Sequence, residues 1–195
     1  MSRVAALLLA AGMSARMGTT NKLAAVVGGR PMVRIAADAA LESRAVSLTV
    51  VTGHKRYAIE TALEGLDYAH VHNPDYADGL STSLHAGLRG LPNDIDGVVV
   101  LLGDMPEVTA GIVDILIEAL QPGRIVVPTS GGQRGNPVVW SRRFFPDLLK
   151  VTGDTGGRQI IESNRDKVTE VEIGAAVGID VDTPEALAAA GGRLF

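Results

Sequence analysis

The chain has 195 residues, no cysteine, a net charge of −4, and a composition that is 46% hydrophobic but only 4% aromatic. This length suits one domain with a substantial core, so we predict a single domain over residues 1–195. The absence of thiols excludes disulfides, thiolate metal sites and a cysteine nucleophile, and the acidic balance argues against nucleic acid or an acidic membrane surface as a partner.

Apolar runs alternate with amphipathic stretches along most of the chain. The first run, Val4–Ala10, predicts a buried strand; it is too short to span a bilayer, and we expect a cytoplasmic protein. Helices are then predicted at 31–43, 57–66, 81–91 and 110–120, alternating with strands at 46–52, 68–71, 97–102 and 125–127. Past residue 128 the rhythm is less regular, with helices at 144–151, 155–163 and 184–190 and short strands at 168–173 and 179–181. This order predicts an α/β fold, a three-layer α/β/α sandwich around a mostly parallel sheet.

The loop after the first strand is rich in groups that bind anions. It reads Leu9-Ala10-Ala11-Gly12-Met-Ser-Ala-Arg16-Met-Gly18-Thr-Thr-Asn-Lys22. Glycine lets backbone N–H groups approach a ligand, successive N–H groups form a nest for anions, and the arginine and lysine add positive charge. The spacing matches neither a P-loop nor the dinucleotide-binding glycine pattern. The loop therefore predicts a different kind of site for a nucleotide triphosphate, or else a simple turn with charges on the surface.

Carboxylates follow two later apolar segments. Asp104 comes directly after the most hydrophobic strand, and ligands bind at the carboxyl ends of strands in an open α/β sheet. A carboxylate there suits Mg²⁺, which prefers one or two carboxylates together with substrate phosphate oxygens. Asp180 and Asp182 lie two residues apart on a predicted strand, so their side chains point the same way. We expect Asp182 to be the second metal ligand, with Asp180 as the next candidate. Each of these acids could instead cap a turn or a helix.

Two further segments carry polar groups at predicted turns. Gly79, Ser81 and Ser83 lie where a loop enters a helix, which suits a base, a ribose or a phosphate oxygen, or a capped surface helix equally well. The segment Arg134-Gly135-Asn136-Pro137 is, from its residues alone, a turn with one cation, and residues 152–158 form a second charged loop of the same kind.

From Leu9 to Leu187 these motifs resemble, in order, the nucleotidyltransferases that join an NTP to a phosphorylated acceptor. The likeness is greatest to the MobA-like NTP transferase family, in its branch of molybdenum cofactor cytidylyltransferases. It implies a Rossmann-like fold of the nucleotide-diphospho-sugar transferase type, with residues 9–22 and 79–83 lining the nucleotide site and residues 134–137 bordering the acceptor pocket. It also implies that Asp104 and Asp182 hold Mg²⁺, or alternatively Mn²⁺, and that Arg16 and Lys22 are the catalytic cations.

The same resemblance implies CTP and molybdopterin as substrates. The guanylyltransferase branch tends to carry glycine where this chain has Ala11, and a methyl group there would crowd a purine. CMP would pass to the phosphate of molybdopterin with release of pyrophosphate, and a molybdoenzyme or its chaperone would receive the product. The alternatives are a guanylyltransferase, a sugar-phosphate nucleotidyltransferase, or a non-catalytic carrier of the molybdenum cofactor. One departure from many cytidylyltransferases is the extra residue between Gly18 and Lys22.

Overall fold

A computed structural model describes residues 2–13, 21–181 and 183–193. Its strands are β1 (Val4–Ala10), β2 (Val26–Val27), β3 (Arg30–Pro31), β4 (Leu48–Thr52), β5 (Ala69–His72), β6 (Gly97–Leu102), β7 (Ile125–Ser130), β8 (Gln133–Arg134), β9 (Val138–Ser141) and β10 (Val168–Glu172). Its α-helices are α1 (Met32–Leu41), α2 (Arg56–Ala62), α3 (Leu80–Arg89), α4 (Ala110–Glu118), α5 (Phe145–Leu148), α6 (Arg158–Ser163) and α7 (Pro184–Ala189).

The main sheet runs in the order β10-β7-β9-β6-β1-β4-β5, and β8 pairs with β7. Its neighbouring strands are parallel, except that β9 runs antiparallel to β6 and β7 and β8 antiparallel to β7. The chain passes from β1 to β4 on one side, whereas β6 lies on the other side of β1. The strand order therefore reverses between β1 and β6, and ligands bind at such a switch point, outside the carboxyl ends of the strands.

Helices cover both faces of this sheet, which explains why β1 is a continuous apolar run rather than an alternating one. Successive side chains of a strand point to opposite faces. Ala6 and Leu8 accordingly pack in one core with residues of α1, α2 and α4, whereas Leu7 and Leu9 pack in a second core with residues of α3, α5 and α6. These two cores make the three-layer α/β/α sandwich that the sequence predicts.

Most predicted elements are present, with ends that differ by a few residues, but some parts of the structure differ from the prediction. Residues 179–181 are not a strand; instead the Val181 N–H donates to the carbonyl of Asp104 over 2.9 Å. The β2–β3 hairpin was not predicted, although its two-residue turn has Gly28 at φ 58° and Gly29 at φ 85°, as a tight hairpin requires. Across the described ranges, no helix has the length and apolar character needed to cross a membrane.

Candidate active site

Two predicted site residues meet at the switch point between β1 and β6. The Lys22 Nζ lies 2.5 Å from Oδ2 of Asp104, although the two residues are 82 positions apart in the sequence. Only 14% of the lysine side chain and 16% of the aspartate side chain are exposed. The extra residue before Lys22 therefore does not prevent this lysine from reaching the end of β6, and the pair lies in a partly shielded environment where charges interact more strongly than in water.

Asn21 fixes the start of the short 3-10 helix that carries Lys22 (Lys22–Ala24). Its side chain, 3% exposed, accepts a hydrogen bond from the Leu23 N–H at 3.0 Å and donates one to the carbonyl of His54 at 3.4 Å. Asparagine is a preferred residue at such a helix start because its side-chain oxygen satisfies an N–H that the helix leaves unpaired. The lysine is thus attached to the end of β4 as well as to the end of β6.

Asp104 also has the character of a cation ligand. Its Oδ1 is buried and has no hydrogen-bond partner within the part of the chain that the structure describes. A buried carboxylate oxygen without a partner is costly, and a hard divalent cation is a ligand that satisfies it. The donor set at Asp104 therefore fits Mg²⁺ or Mn²⁺, although no cluster of three or more histidine or acidic side chains able to hold a metal occurs among the described residues.

The second predicted acidic segment lies next to Asp104. Because the Val181 N–H donates to the Asp104 carbonyl, the backbone just before position 182 is attached to the end of β6. Asp180 is exposed beside this contact. Asp182, which the sequence favours as the second metal ligand, lies outside the described residues, as do Arg16 and Gly18 of the first loop.

The described part of the first loop continues β1 into this site. Gly12 lies in open space, since no described atom comes within 4 Å of a Cβ built on it. Ala11, by contrast, is only 3% exposed, and its methyl group faces Gly53, where an added Cβ would lie 2.9 Å from it. The methyl is therefore packed inside the protein, and any influence of Ala11 on the choice of base must act through the position of the loop.

A cavity of about 820 Å³ lies between the ends of β1 and β6 and helices α3 and α6; its lining includes Leu9 and Leu102 but neither Lys22 nor Asp104. Its lining has two parts, an apolar one and a charged one. The apolar part contains Leu9, Leu80, Leu84, Val100, Leu102, Val127, Val138, Trp140, Leu148 and Ile161. The charged part contains Arg134, Arg158, Glu162, Arg165 and Glu170. The cavity can therefore hold a ligand with an apolar body and a charged end.

The predicted acceptor segment 134–137 forms one wall of the cavity through Arg134, Gly135 and Asn136. The Arg134 Nε donates to Glu170 at 2.8 Å and its Nη1 donates to Glu162 at 2.9 Å, so two carboxylates hold the guanidinium plane. A Cβ on Gly135 would lie 2.0 Å from the carbonyl oxygen of Val177, which means that only glycine fits there. The Asn136–Pro137 peptide bond is cis.

The charged part of the cavity lining, called its rim below, is linked by electrostatic interactions. The pKa of Glu162 is lowered, first by its hydrogen bond with Arg165 and then by the positive charges of Arg165, Arg134 and Arg158. Glu162 is therefore ionised at neutral pH, and the lining holds three guanidinium groups, of Arg134, Arg158 and Arg165, against the two carboxylates of Glu162 and Glu170. An anionic ligand meets a surplus of positive charge at this rim.

The predicted nucleotide segment at the start of α3 is already engaged with the protein. Ser83 accepts a hydrogen bond from the Asn73 side-chain amide at 3.0 Å, and Ser81 is buried. The first N–H groups of the helix are taken by a distant loop, because Leu80 donates to the Asp154 carboxylate at 2.9 Å and Ser81 donates to the Gly153 carbonyl at 3.0 Å.

Sequence reasoning missed several residues that shape this site. Asn21 carried a signal, since an asparagine before a short helix predicts a cap. Glu162 and Glu170 carried none, because nothing local marks which of many acidic residues will meet Arg134. Asp154 lay in a loop whose charge was noted, but its partner on α3 is 74 positions away.

Comparison with known proteins agrees with this geometry. The family model described as the MobA-like NTP transferase domain matches residues 6–168. The chain is 29% identical to the molybdenum cofactor cytidylyltransferase of Escherichia coli (strain K12), over 95% of this chain and 94% of that protein. It is 30% identical to the purine catabolism protein PucB of Bacillus subtilis (strain 168), over 91% of this chain and 90% of that protein.

A solved structure of similar fold contains a bound metal ion. The manganese complex of Rv0371c from Mycobacterium tuberculosis H37Rv superposes with a TM-score of 0.80 and 25% identity, covering 97% of this chain and 98% of that one. Because the family model spans most of the chain and includes the loop after β1, Lys22 and Asp104, the protein belongs to the MobA-like NTP transferase domain family and is a nucleotidyltransferase.

Proposed function

We propose that the protein transfers CMP from CTP to the phosphate of molybdopterin and releases pyrophosphate. The observation that carries the transfer reaction is the shielded Lys22–Asp104 pair at the switch point, with one aspartate oxygen that has no hydrogen-bond partner among the described residues. The choice of CTP and molybdopterin is supported by the similarity to the Escherichia coli molybdenum cofactor cytidylyltransferase over nearly the full length of both chains. A molybdoenzyme or its chaperone would receive the product.

In this reaction an oxygen of the acceptor phosphate attacks the α-phosphorus of CTP, and the bond between the α-phosphorus and the bridging oxygen to the β-phosphate breaks. An ionised phosphate is already a nucleophile, so the protein has little proton transfer to perform. Its task is to align the two substrates and to neutralise charge on the α-phosphate and on the departing pyrophosphate. Lys22, together with Arg16, supplies that positive charge, and the N–H groups near Gly12 hold phosphate oxygens.

Asp104, with Asp182 and then Asp180 as further ligands, would hold the divalent cation. Bound there, Mg²⁺ or Mn²⁺ supplies charge neutralisation for the phosphate groups. Lys22 binds the Oδ2 atom of Asp104, and the Oδ1 atom, which has no hydrogen-bond partner among the described residues, would bind the cation.

The 820 Å³ cavity would take the acceptor. Its apolar wall suits a ring system, and the guanidinium groups at its rim suit the phosphate that attacks. Gly79, Ser81 and Ser83 would border the nucleotide from the side of α3. In the described structure the Ser83 hydroxyl and the Ser81 N–H already form hydrogen bonds with other parts of the protein. These residues would therefore shape the nucleotide site through the placement of the α3 backbone rather than through their hydroxyl groups.

Pyrophosphate release tests this proposal. CTP, GTP, ATP and UTP are each supplied with Mg²⁺ and molybdenum-bound molybdopterin, and a sugar phosphate replaces the molybdopterin in parallel reactions. We expect release with CTP and molybdopterin to exceed all other pairs, and Asp104→Asn to reduce it by roughly a hundredfold, the scale of losing one electrostatic group in an active site. The matched control is Asp147→Asn, since Asp147 lies on α5 and pairs with exposed Lys150.

The other outcomes each identify a different protein. Faster release with GTP would make it a guanylyltransferase, and release with the sugar phosphate would move the acceptor to that class. CTP that stabilises the fold in a thermal-shift assay without any pyrophosphate release would favour a carrier, because a ligand that binds only the native state raises apparent stability whether or not it reacts.

A further inference from the structure

The loop of residues 152–157 contacts both of the regions that the proposed function assigns to substrates. On one side, Gly153 and Asp154 accept hydrogen bonds from the first two N–H groups of α3. On the other side, Thr155, Gly156 and Gly157 line the 820 Å³ cavity. One short segment therefore joins the nucleotide segment to the wall of the acceptor cavity.

The contact at α3 is specific rather than incidental. The helix begins after Gly79, which has no side chain to cap it, so its first N–H groups need acceptors from elsewhere. The Asp154 carboxylate supplies one at 2.9 Å from the Leu80 nitrogen, and its negative charge is favoured at the positive end of a ten-residue helix. Gly79 adopts φ 111°, and a Cβ there would lie 2.9 Å from the backbone of Gly153, so the close approach of the two segments requires glycine.

The cavity side of the loop is tightly packed at Gly157 and makes ordinary van der Waals contact at Gly156. A Cβ on Gly157 would lie 2.3 Å from the ring of Trp140, and a Cβ on Gly156 would lie 3.7 Å from the side chain of Leu80. The Leu80 side chain lines the cavity, and the backbone N–H of the same residue donates a hydrogen bond to the Asp154 carboxylate. A ligand that presses on this wall therefore acts on the same residue that Asp154 holds.

We propose that Asp154 is a positioning residue that couples the two substrate sites, by fixing the start of α3 to the acceptor wall. The inference rests on the proposed function for the identity of the ligands. In this coupling, a ligand in the cavity orders residues 152–157, and the ordered loop then holds the Leu80 and Ser81 amides more tightly. Because the coupling is reciprocal, nucleotide binding at the start of α3 also orders the loop.

Amide hydrogen exchange measures this coupling without turnover. In the wild type, molybdenum-bound molybdopterin alone is expected to slow exchange at Leu80 and Ser81, and CTP with Mg²⁺ alone is expected to slow exchange at Thr155–Arg158. Asp154→Ala should raise basal exchange at Leu80 about fivefold, the typical effect of losing a helix cap, and should abolish both ligand responses. Asp154→Asn retains an oxygen acceptor and should restore most of each response.

Asp147→Ala is the matched control, because that aspartate is an exposed residue of α5 that pairs with Lys150 and does not line the cavity. It should leave the exchange rates and both responses as in the wild type. A purely structural role for Asp154 would lower the melting temperature and raise basal exchange but would leave the ligand responses intact, and that result would overturn the inference.

The measurement also separates the inference from the proposed function. If molybdopterin binds, as a thermal shift would show, but exchange at Leu80 and Ser81 does not change, the coupling is wrong and the proposed acceptor stands. If molybdopterin does not bind, the proposed acceptor is wrong, and the effect of the most stabilising nucleotide on Thr155–Arg158 still decides the coupling: a response lost in Asp154→Ala supports it, and no response in the wild type overturns it.

Discussion

Replacing Lys22 by methionine removes the ammonium group that lies 2.5 Å from Asp104 while keeping most of the volume of the side chain. The Asp104 carboxylate then loses its ammonium partner in a place where only 16% of its side chain is exposed. Breaking a fully buried pair costs about 3–5 kcal/mol, and the residual exposure of this pair puts the expected loss of unfolding free energy at about 2–3 kcal/mol. Millimolar Mg²⁺ should recover part of that loss, because a cation on Asp104 replaces the missing charge.

The same substitution should reduce turnover by roughly a hundredfold to a thousandfold, the effect of removing one group that stabilises charge in the transition state. Urea unfolding gives the stability, and pyrophosphate release with saturating CTP and acceptor gives the turnover. Lys150→Met is the control, since its ammonium is 75% exposed and its ion pair with Asp147 should be worth less than about 1 kcal/mol. Wild-type turnover in Lys22→Met would refute the catalytic role of this cation, and wild-type stability would show that the pair is not shielded from water.

Two further substitutions test the packing of Gly135 and the electrostatics of Glu172. Gly135→Ala should lower the free energy of unfolding by about 1–3 kcal/mol, because its Cβ would lie 2.0 Å from the Val177 carbonyl oxygen. The control Gly178→Ala should change this free energy little, because the nearest atom to its Cβ would lie 3.8 Å away. Equal urea midpoints for the two variants would contradict this packing. The pKa of Glu172 is lowered in the folded protein, chiefly because its carboxylate accepts a hydrogen bond from the Thr129 hydroxyl. Ionised Glu172 therefore stabilises the fold at pH values above the pKa that this group has in the unfolded chain. That stabilisation is lost as the pH falls through the lower pKa of the folded state. Melting temperatures between pH 6 and pH 3 should therefore fall more steeply for the wild type than for Glu172→Gln, and parallel curves would exclude this contribution.

Several features of the fold follow directly from local patterns in the sequence. The strands at Val4–Ala10 and Gly97–Leu102 have the predicted bounds, because a run of apolar residues buried on both faces is hard to place anywhere but in a central strand. The sequence also predicts that Gly12 and Asp104 lie at the same end of the sheet, because each follows a strand and parallel strands have their carboxyl ends on the same side. The predicted strand at 179–181 failed because an apolar pattern of three residues does not distinguish a ladder partner from a segment with a single backbone bond to Asp104.

What the sequence determined by itself is the alternation of strands and helices and the set of loops in which charged and glycine residues gather, because both depend on neighbours within a few positions. Only the tertiary structure decided which of these groups meet. Lys22 and Asp104 are 82 residues apart, and Arg134 reaches carboxylates 28 and 36 residues further along the chain. Such contacts depend on the lateral order of the strands and on which loops face one another, and no local propensity encodes that order: it results from the packing of all layers at once.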